Sequence, residues 1–142
     1  MGGSYAPTIN LQSTDGPYTG SYCARMSNNL GSKGTPRAGY IRQRVTLPST
    51  ATTLSYYMKY WIASSGPGMG VRIKDASGNV LAQNNEGTSG TSSSDWVQRT
   101  FNVTEYAGQT ITIEIYVEDL DTTWAGNSGH GGWIAVDSFS VT

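Results

Sequence analysis

The sequence predicts an all-β chain of about nine antiparallel strands, closed into a sandwich or barrel. Three observations lead there. Short runs of β-branched and aromatic residues alternate with Gly/Ser/Asn/Asp clusters, the composition of strands joined by turns. Turn signals recur at intervals near the spacing of about 8–12 residues expected of a sandwich. Long runs of the helix formers Ala, Glu, Lys and Leu are missing, and charged residues make up only 13% of the chain. At 142 residues the chain suits one domain spanning 1–142.

The strands follow in order. Residues 7–11, "PTINL", are a short opening strand, and 21–27, "SYCARMS", follow the turn-rich "STDGPYTG". Residues 39–47, "GYIRQRVTL", stop at Pro48, which cannot donate to a ladder. Residues 52–63 hold the Tyr-rich run "TLSYYMKYWI". Residues 69–75, "MGVRIKD", pair with 79–83, "NVLAQ", across "ASGN", whose glycine serves a tight hairpin. After the polar loop "NNEGTSGTSSSD" come 96–103, "WVQRTFNV", and 110–118, "TITIEIYVE". A second long loop, "DLDTTWAGNSGHGG", leads to 133–141, "WIAVDSFSV". Ordered loops of this length often carry function.

Side chains alternate across a strand. Ile111, Ile113, Ile115 and Val117 therefore make one face, and Thr112, Glu114, Tyr116 and Glu118 the other. Ile41, Gln43, Val45 and Leu47 are expected inward, with Tyr40, Arg42 and Arg44 outward. Val71 and Ile73 go in while Arg72 and Lys74 go out. In the Tyr-rich strand Leu54, Tyr56, Met58, Tyr60 and Ile62 are expected to fill the core. Ser55, Tyr57, Lys59 and Trp61 then share the other face, an unusual place for two large aromatics.

Net charge is −1, so no basic footprint favours nucleic acid. No apolar stretch is long enough to span a membrane, and none is expected to bind one. The start, "MGGSYAPT", lacks the charged and apolar regions of a signal peptide, so a secreted protein would contribute this chain as a mature or excised piece. Cys23, the single cysteine, is expected as a packed thiol.

"GSYCARMS", "AGYIRQRVTLPSTATTLSYYMKYWI", "DWVQRTFNV", "ITIEIYVED" and "GGWIAVDSFSVT" run in an order that resembles the carbohydrate-binding modules of the galactose-binding-like jelly-roll β-sandwich type. The similarity covers most of residues 15–142, and its motifs are mainly structural. It departs from the pattern in its opening strand, in Tyr56 where Phe is commoner, and in its long closing loop. The resemblance implies a two-sheet antiparallel jelly roll with no catalytic role. It also implies a structural Ca²⁺ near the first strands and the closing strand, on Asp137 with Asp15. Ca²⁺ takes six to eight oxygens, many of them carbonyls, so two carboxylates suffice. The alternatives are an Asp137 satisfied by N–H groups or by Arg, and a Ca²⁺ held by Asp119 and Asp121.

Sugar rings present apolar C–H faces that stack on Tyr and Trp, and hydroxyls that need polar partners. Tyr57 and Trp61 lie about 13 Å apart along a strand, with Lys59 between them. Tyr116 and Tyr40 could widen such a platform, and Arg42, Arg72, Lys74 and Glu114 could bind hydroxyls or uronate carboxylates. The plainer reading makes Tyr57 and Trp61 cross-strand packing partners beside an ordinary charge ladder. Trp124 in the closing loop is the other candidate for stacking, or else a loop anchor, whereas Trp133 is expected in the core. Trp96 matches the structural Trp of the resembling modules. His130 has no nucleophile motif near it, and Glu114 and Glu118 are not set across a cleft as a hydrolase needs.

The function expected is therefore non-catalytic binding of a polysaccharide or oligosaccharide by stacking and hydrogen bonds. The domain is expected to be fused to others in an extracellular or cell-surface parent protein. The alternative is a structural or adhesive β-sandwich whose Tyr-rich face contacts protein, and a more distant one is a small jelly-roll hydrolase or lyase.

Overall fold

In the computed structural model, residues 8–12, 18–20, 23–28, 37–62, 68–86, 92–93, 95–119 and 131–142 are described. They form β1 (Thr8–Gln12), β2 (Cys23–Asn28), β3 (Arg37–Thr46), β4 (Thr53–Ile62), β5 (Gly68–Lys74), β6 (Val80–Asn85), β7 (Val97–Asn102), β8 (Thr110–Asp119) and β9 (Gly132–Val141). A single 3-10 turn, Thr104–Tyr106, links β7 to β8. Each of the nine expected strands is present, displaced by no more than two residues at either end.

The strands divide into a five-stranded sheet, β1-β2-β9-β4-β7, and a four-stranded sheet, β3-β8-β5-β6. Every pairing is antiparallel. From β2 onward each connection crosses between sheets, except the β5–β6 hairpin. That order is the jelly roll, two interleaved Greek keys, with β1 added at one edge.

The two-residue period explains the core. Leu54, Tyr56, Met58 and Ile62 of β4, Ile134 and Val136 of β9, and Met26 of β2 face Val71, Ile73, Ile111, Ile113, Ile115 and Val117 from the other sheet, all buried. Each such side chain contributes about 1.5–3 kcal/mol on burial. The Tyr56 hydroxyl accepts from Asn84 at 3.1 Å, so a core tyrosine is tolerated where Phe would also fit. Arg99 and the buried Glu86 pair through two bonds of 2.9 Å each between β7 and the end of β6, closing that side of the sandwich.

Two details of the backbone matter. In the β5–β6 hairpin, Asp75 accepts the N–H groups of Ser77 and Asn79 at 2.9 Å each, and Gly78 takes φ +86°. The positive φ fits the bulged turn that the glycine allows. In β9 the register against β4 slips between Ser55 and Tyr57, and Ser138 sits at φ +53°. This left-handed, non-glycine residue turns Asp137 towards the segment Tyr18–Gly20.

One expectation about faces is corrected and one is qualified. Gln43 does face inward with Ile41 and Val45, opposite Ile113, where it lines a cavity of about 350 Å³ between the sheets with Leu54 and Ile115, but it stays exposed because β3 is an edge strand. Trp133 is not in the core between the sheets. It pairs in register with Trp61 on the outer face of β9, half-buried beneath the Arg25 guanidinium at 4.7 Å.

Candidate functional site

The residues expected to bind sugar fall on opposite sides of the molecule. Tyr57, Lys59 and Trp61 lie on the outer face of the five-stranded sheet, since β4 belongs to it. Arg42, Arg72, Glu114 and Tyr116 lie on the outer face of the four-stranded sheet. A single platform combining the two sets does not exist. Trp124, Asp15, Asp121 and His130 lie outside the described residues.

Tyr57, Trp61 and Trp133 point outward from strands of the five-stranded sheet, and Tyr18 and Trp96, from segments outside its strands, join them. Register places Trp61 beside Trp133, Lys59 beside Ala135, and Tyr57 between Asp137 and Gln98. Ala135 is fully buried, so the larger neighbours close over it. Tyr18 lies flat on Tyr57, ring centroids 3.5 Å apart at 13°, and meets Trp96 edge-on at 6.3 Å. Tyr57 is thus half-buried under a second ring. Tyr18 and Trp61 stay open, 41% and 44% exposed. Stacking partners are therefore offered over the middle of β4, at Tyr18 on Tyr57, and near its end, at Trp61, with Lys59 between them.

The opposite face is ionic. Row by row across the sheet, Tyr40 opposes Tyr116 and Gly70, Arg42 opposes Glu114 and Arg72, and Arg44 opposes Thr112 and Lys74. Glu114 has no exposed side-chain surface and accepts from Arg42, Arg72 and Lys74, the last at 2.9 Å. Burial would push its carboxyl up, but the hydrogen bonds from the three cations outweigh that and hold it below the ordinary carboxylate range. Arg72 also pairs with Glu118 and stacks on the Tyr116 ring at 4.1 Å. Desolvation raises the Tyr40 phenol, and its hydrogen bond to Glu118 raises it further. Tyr116, 2% exposed, bonds Asn85 at 2.8 Å. Glu114 and Tyr116 are therefore supports beneath this surface, out of reach of a ligand. Glu114 cannot act as a hydrolytic acid or nucleophile with both oxygens engaged by cations.

Asp137 is half-buried and engaged by protein donors. One carboxylate oxygen accepts the Thr19 N–H at 3.1 Å and the other the Ser138 hydroxyl at 3.1 Å. Thr19 and Ser138 share a further hydrogen bond of 2.7 Å. Among the described residues no three His, Cys, Asp or Glu side chains gather as a metal shell.

No protein-family model matches the sequence, and no curated protein matches it. Solved structures do match. TmCBM61, determined with β-1,4-galactotriose, is 15% identical over 100% of this chain and 85% of that one, with a TM-score of 0.59. A structure of promiscuous carbohydrate-binding modules from the β-sandwich superfamily is 17% identical over 99% of this chain and 58% of that one, TM-score 0.56. The K1 cleaved adhesin domain of Lys-gingipain from Porphyromonas gingivalis W83 is 14% identical over 98% and 84%, TM-score 0.56. What is shared is the fold. Carbohydrate-binding modules of β-sandwich architecture are thus among its structural neighbours, and so is an adhesin domain.

Tyr18 was not singled out from the sequence. It follows Gly-Pro in the sequence, where no periodicity marks a face, and only its aromatic character among small polar residues sets it apart.

Proposed function

We propose that this chain is a non-catalytic carbohydrate-binding module of the galactose-binding-like kind, taking a polysaccharide or oligosaccharide on the outer face of its five-stranded sheet. The observation that carries the reading is the open pair Trp61 and Tyr18 on a face that also holds Trp133, Tyr57 and Trp96. Isolated exposed aromatics need no explanation, but a shared aromatic face with exposed ends marks a recognition surface. Tyr57 braces Tyr18, so the upper ring is positioned at low entropic cost. Lys59 and Gln98 supply donors for hydroxyls at the edges of the stacked rings. The fold's likeness to a module solved with β-1,4-galactotriose supports a chain-like ligand. Parent proteins of such modules are extracellular or cell-surface, and this chain would hold its parent on an insoluble glycan.

Affinity electrophoresis against soluble β-glucan, xylan, mannan and galactan tests the reading. Retardation by at least one neutral polysaccharide is expected. Unaltered mobility in all of them, together with self-association or capture of a partner protein, would favour the adhesive alternative.

Calcium remains part of the proposal only through Asp137 and Asp15. A melting midpoint that falls in excess EDTA and recovers with added Ca²⁺ is the expected outcome for a bound ion. An unchanged midpoint would remove it and leave Thr19 and Ser138 as the partners of Asp137.

A further inference from the structure

We propose that the outer face of the four-stranded sheet is a second glycan surface, which takes the carboxylates of a polyuronate through Arg42 and Arg44. The first argument is charge. On this face Arg42, Arg44, Arg72 and Lys74 stand against Glu114 and Glu118. Two carboxylates cannot neutralise four cations, and the surplus is confined to one patch of a chain whose net charge is −1.

The second argument is which cations are spent. Lys74 and Arg72 are held by Glu114, and Arg72 by Glu118 as well. Arg42 uses only its Nε on Glu114, and its side chain is 52% exposed. Its two terminal amino groups bond to nothing among the described residues. Arg44 is exposed and has no ion pair among them. The Tyr40 ring lies 4.7 Å from the Arg42 guanidinium and packs against it.

The third is geometry. Arg42 and Arg44 are two residues apart on one strand, about 6–7 Å along it and on the same face. A polyuronate lying along β3 presents one carboxylate per sugar unit, so each guanidinium meets its own. A planar carboxylate accepts two parallel N–H bonds from a guanidinium fork. β3 is an edge strand, so the ligand has open access from the side. A patch limited to one half of one sheet lacks the extended basic footprint that nucleic acid requires.

The test is affinity electrophoresis in polygalacturonate, with dextran sulfate, single-stranded poly-dT and neutral dextran as comparison matrices. Polygalacturonate is expected to retard the wild type, and less so as salt rises from about 50 to about 300 mM. The double variant Arg42→Gln/Arg44→Gln is expected to bind it at least 10-fold more weakly, with dextran sulfate and poly-dT bound more weakly than polygalacturonate. Arg44→Glu, which disturbs no contact with Glu114, is expected to reproduce most of the loss should the double variant melt early. Trp61→Ala, on the opposite face, is expected to leave this binding unchanged, so the result is independent of the neutral-sugar site. Absence of polygalacturonate retardation at low salt would overturn the proposal. So would full retardation of both arginine variants, or equal binding of dextran sulfate or poly-dT, which would mark a general polyanion surface.

Discussion

Replacing Glu114 by Ala is expected to destabilise the fold by about 3–5 kcal/mol, the usual cost of breaking a buried ion pair from one side. The carboxylate is sealed, and three cations converge on it from β3 and β5. Removing it leaves Arg72, whose side chain is 12% exposed, desolvated beside Lys74 and Arg42. Glu114→Gln should cost less, since an amide oxygen still accepts while the charge is lost. Glu118→Ala should cost under about 1 kcal/mol, because that carboxylate is partly solvated. Urea unfolding of the three variants checks the order. The same site sets an acid limit. A carboxyl held below its unfolded value contributes stability that is complete above the unfolded pKa and disappears as pH falls through the folded one. Wild type should therefore lose stability below about pH 4, and Glu114→Gln should show a shallower acid dependence.

Gly70→Ala is expected to cost about 3 kcal/mol, the upper end of what overpacking does. A Cβ at Gly70 would be driven into the backbone carbonyl of Asn84 on β6 and would come within 3.1 Å of the Tyr116 hydroxyl. Neither obstacle is the free end of a flexible chain. Asn84 is tied to the Tyr56 hydroxyl and Tyr116 to Asn85. The strand pair β5–β6 would have to part, and both tyrosines would lose partners. Gly68, on the same strand, would meet nothing closer than 3.7 Å, so Gly68→Ala is the matched control and should melt within a few degrees of wild type. Equal melting of the two alanine variants would contradict this packing.

The period of two made the strands and their inner faces legible from residues alone. Ile111, Ile113, Ile115 and Val117 had no other consistent reading. The same period cannot say which sheet a strand joins. Tyr57 and Arg42 both read as outward, and only the crossing connections put them on opposite sides of the molecule. It also equates outward with exposed, which fails at Glu114 and Tyr116, where the long arginine and lysine side chains of β3 and β5 cover an outer face. Trp133 shows the same failure in reverse, an apolar residue in an apolar run that nonetheless faces outward under Arg25. Gln43 is exposed because β3 is an edge, which no local pattern announces.

On the reading proposed above, the aromatic face of the five-stranded sheet holds the sugar. Trp61 is its most open ring, 44% exposed on a paired strand, so its loss should remove contact area without unfolding the chain. Isothermal titration with an oligosaccharide from whichever neutral polysaccharide retards the protein, comparing wild type, Trp61→Ala and Arg42→Ala, tests this most directly. Affinity is expected to be about 30-fold weaker in Trp61→Ala, the equivalent of a hot-spot loss near 2 kcal/mol, and within twofold of wild type in Arg42→Ala. Wild-type affinity in Trp61→Ala with a large loss in Arg42→Ala would contradict that reading and move neutral-sugar binding to the ionic face.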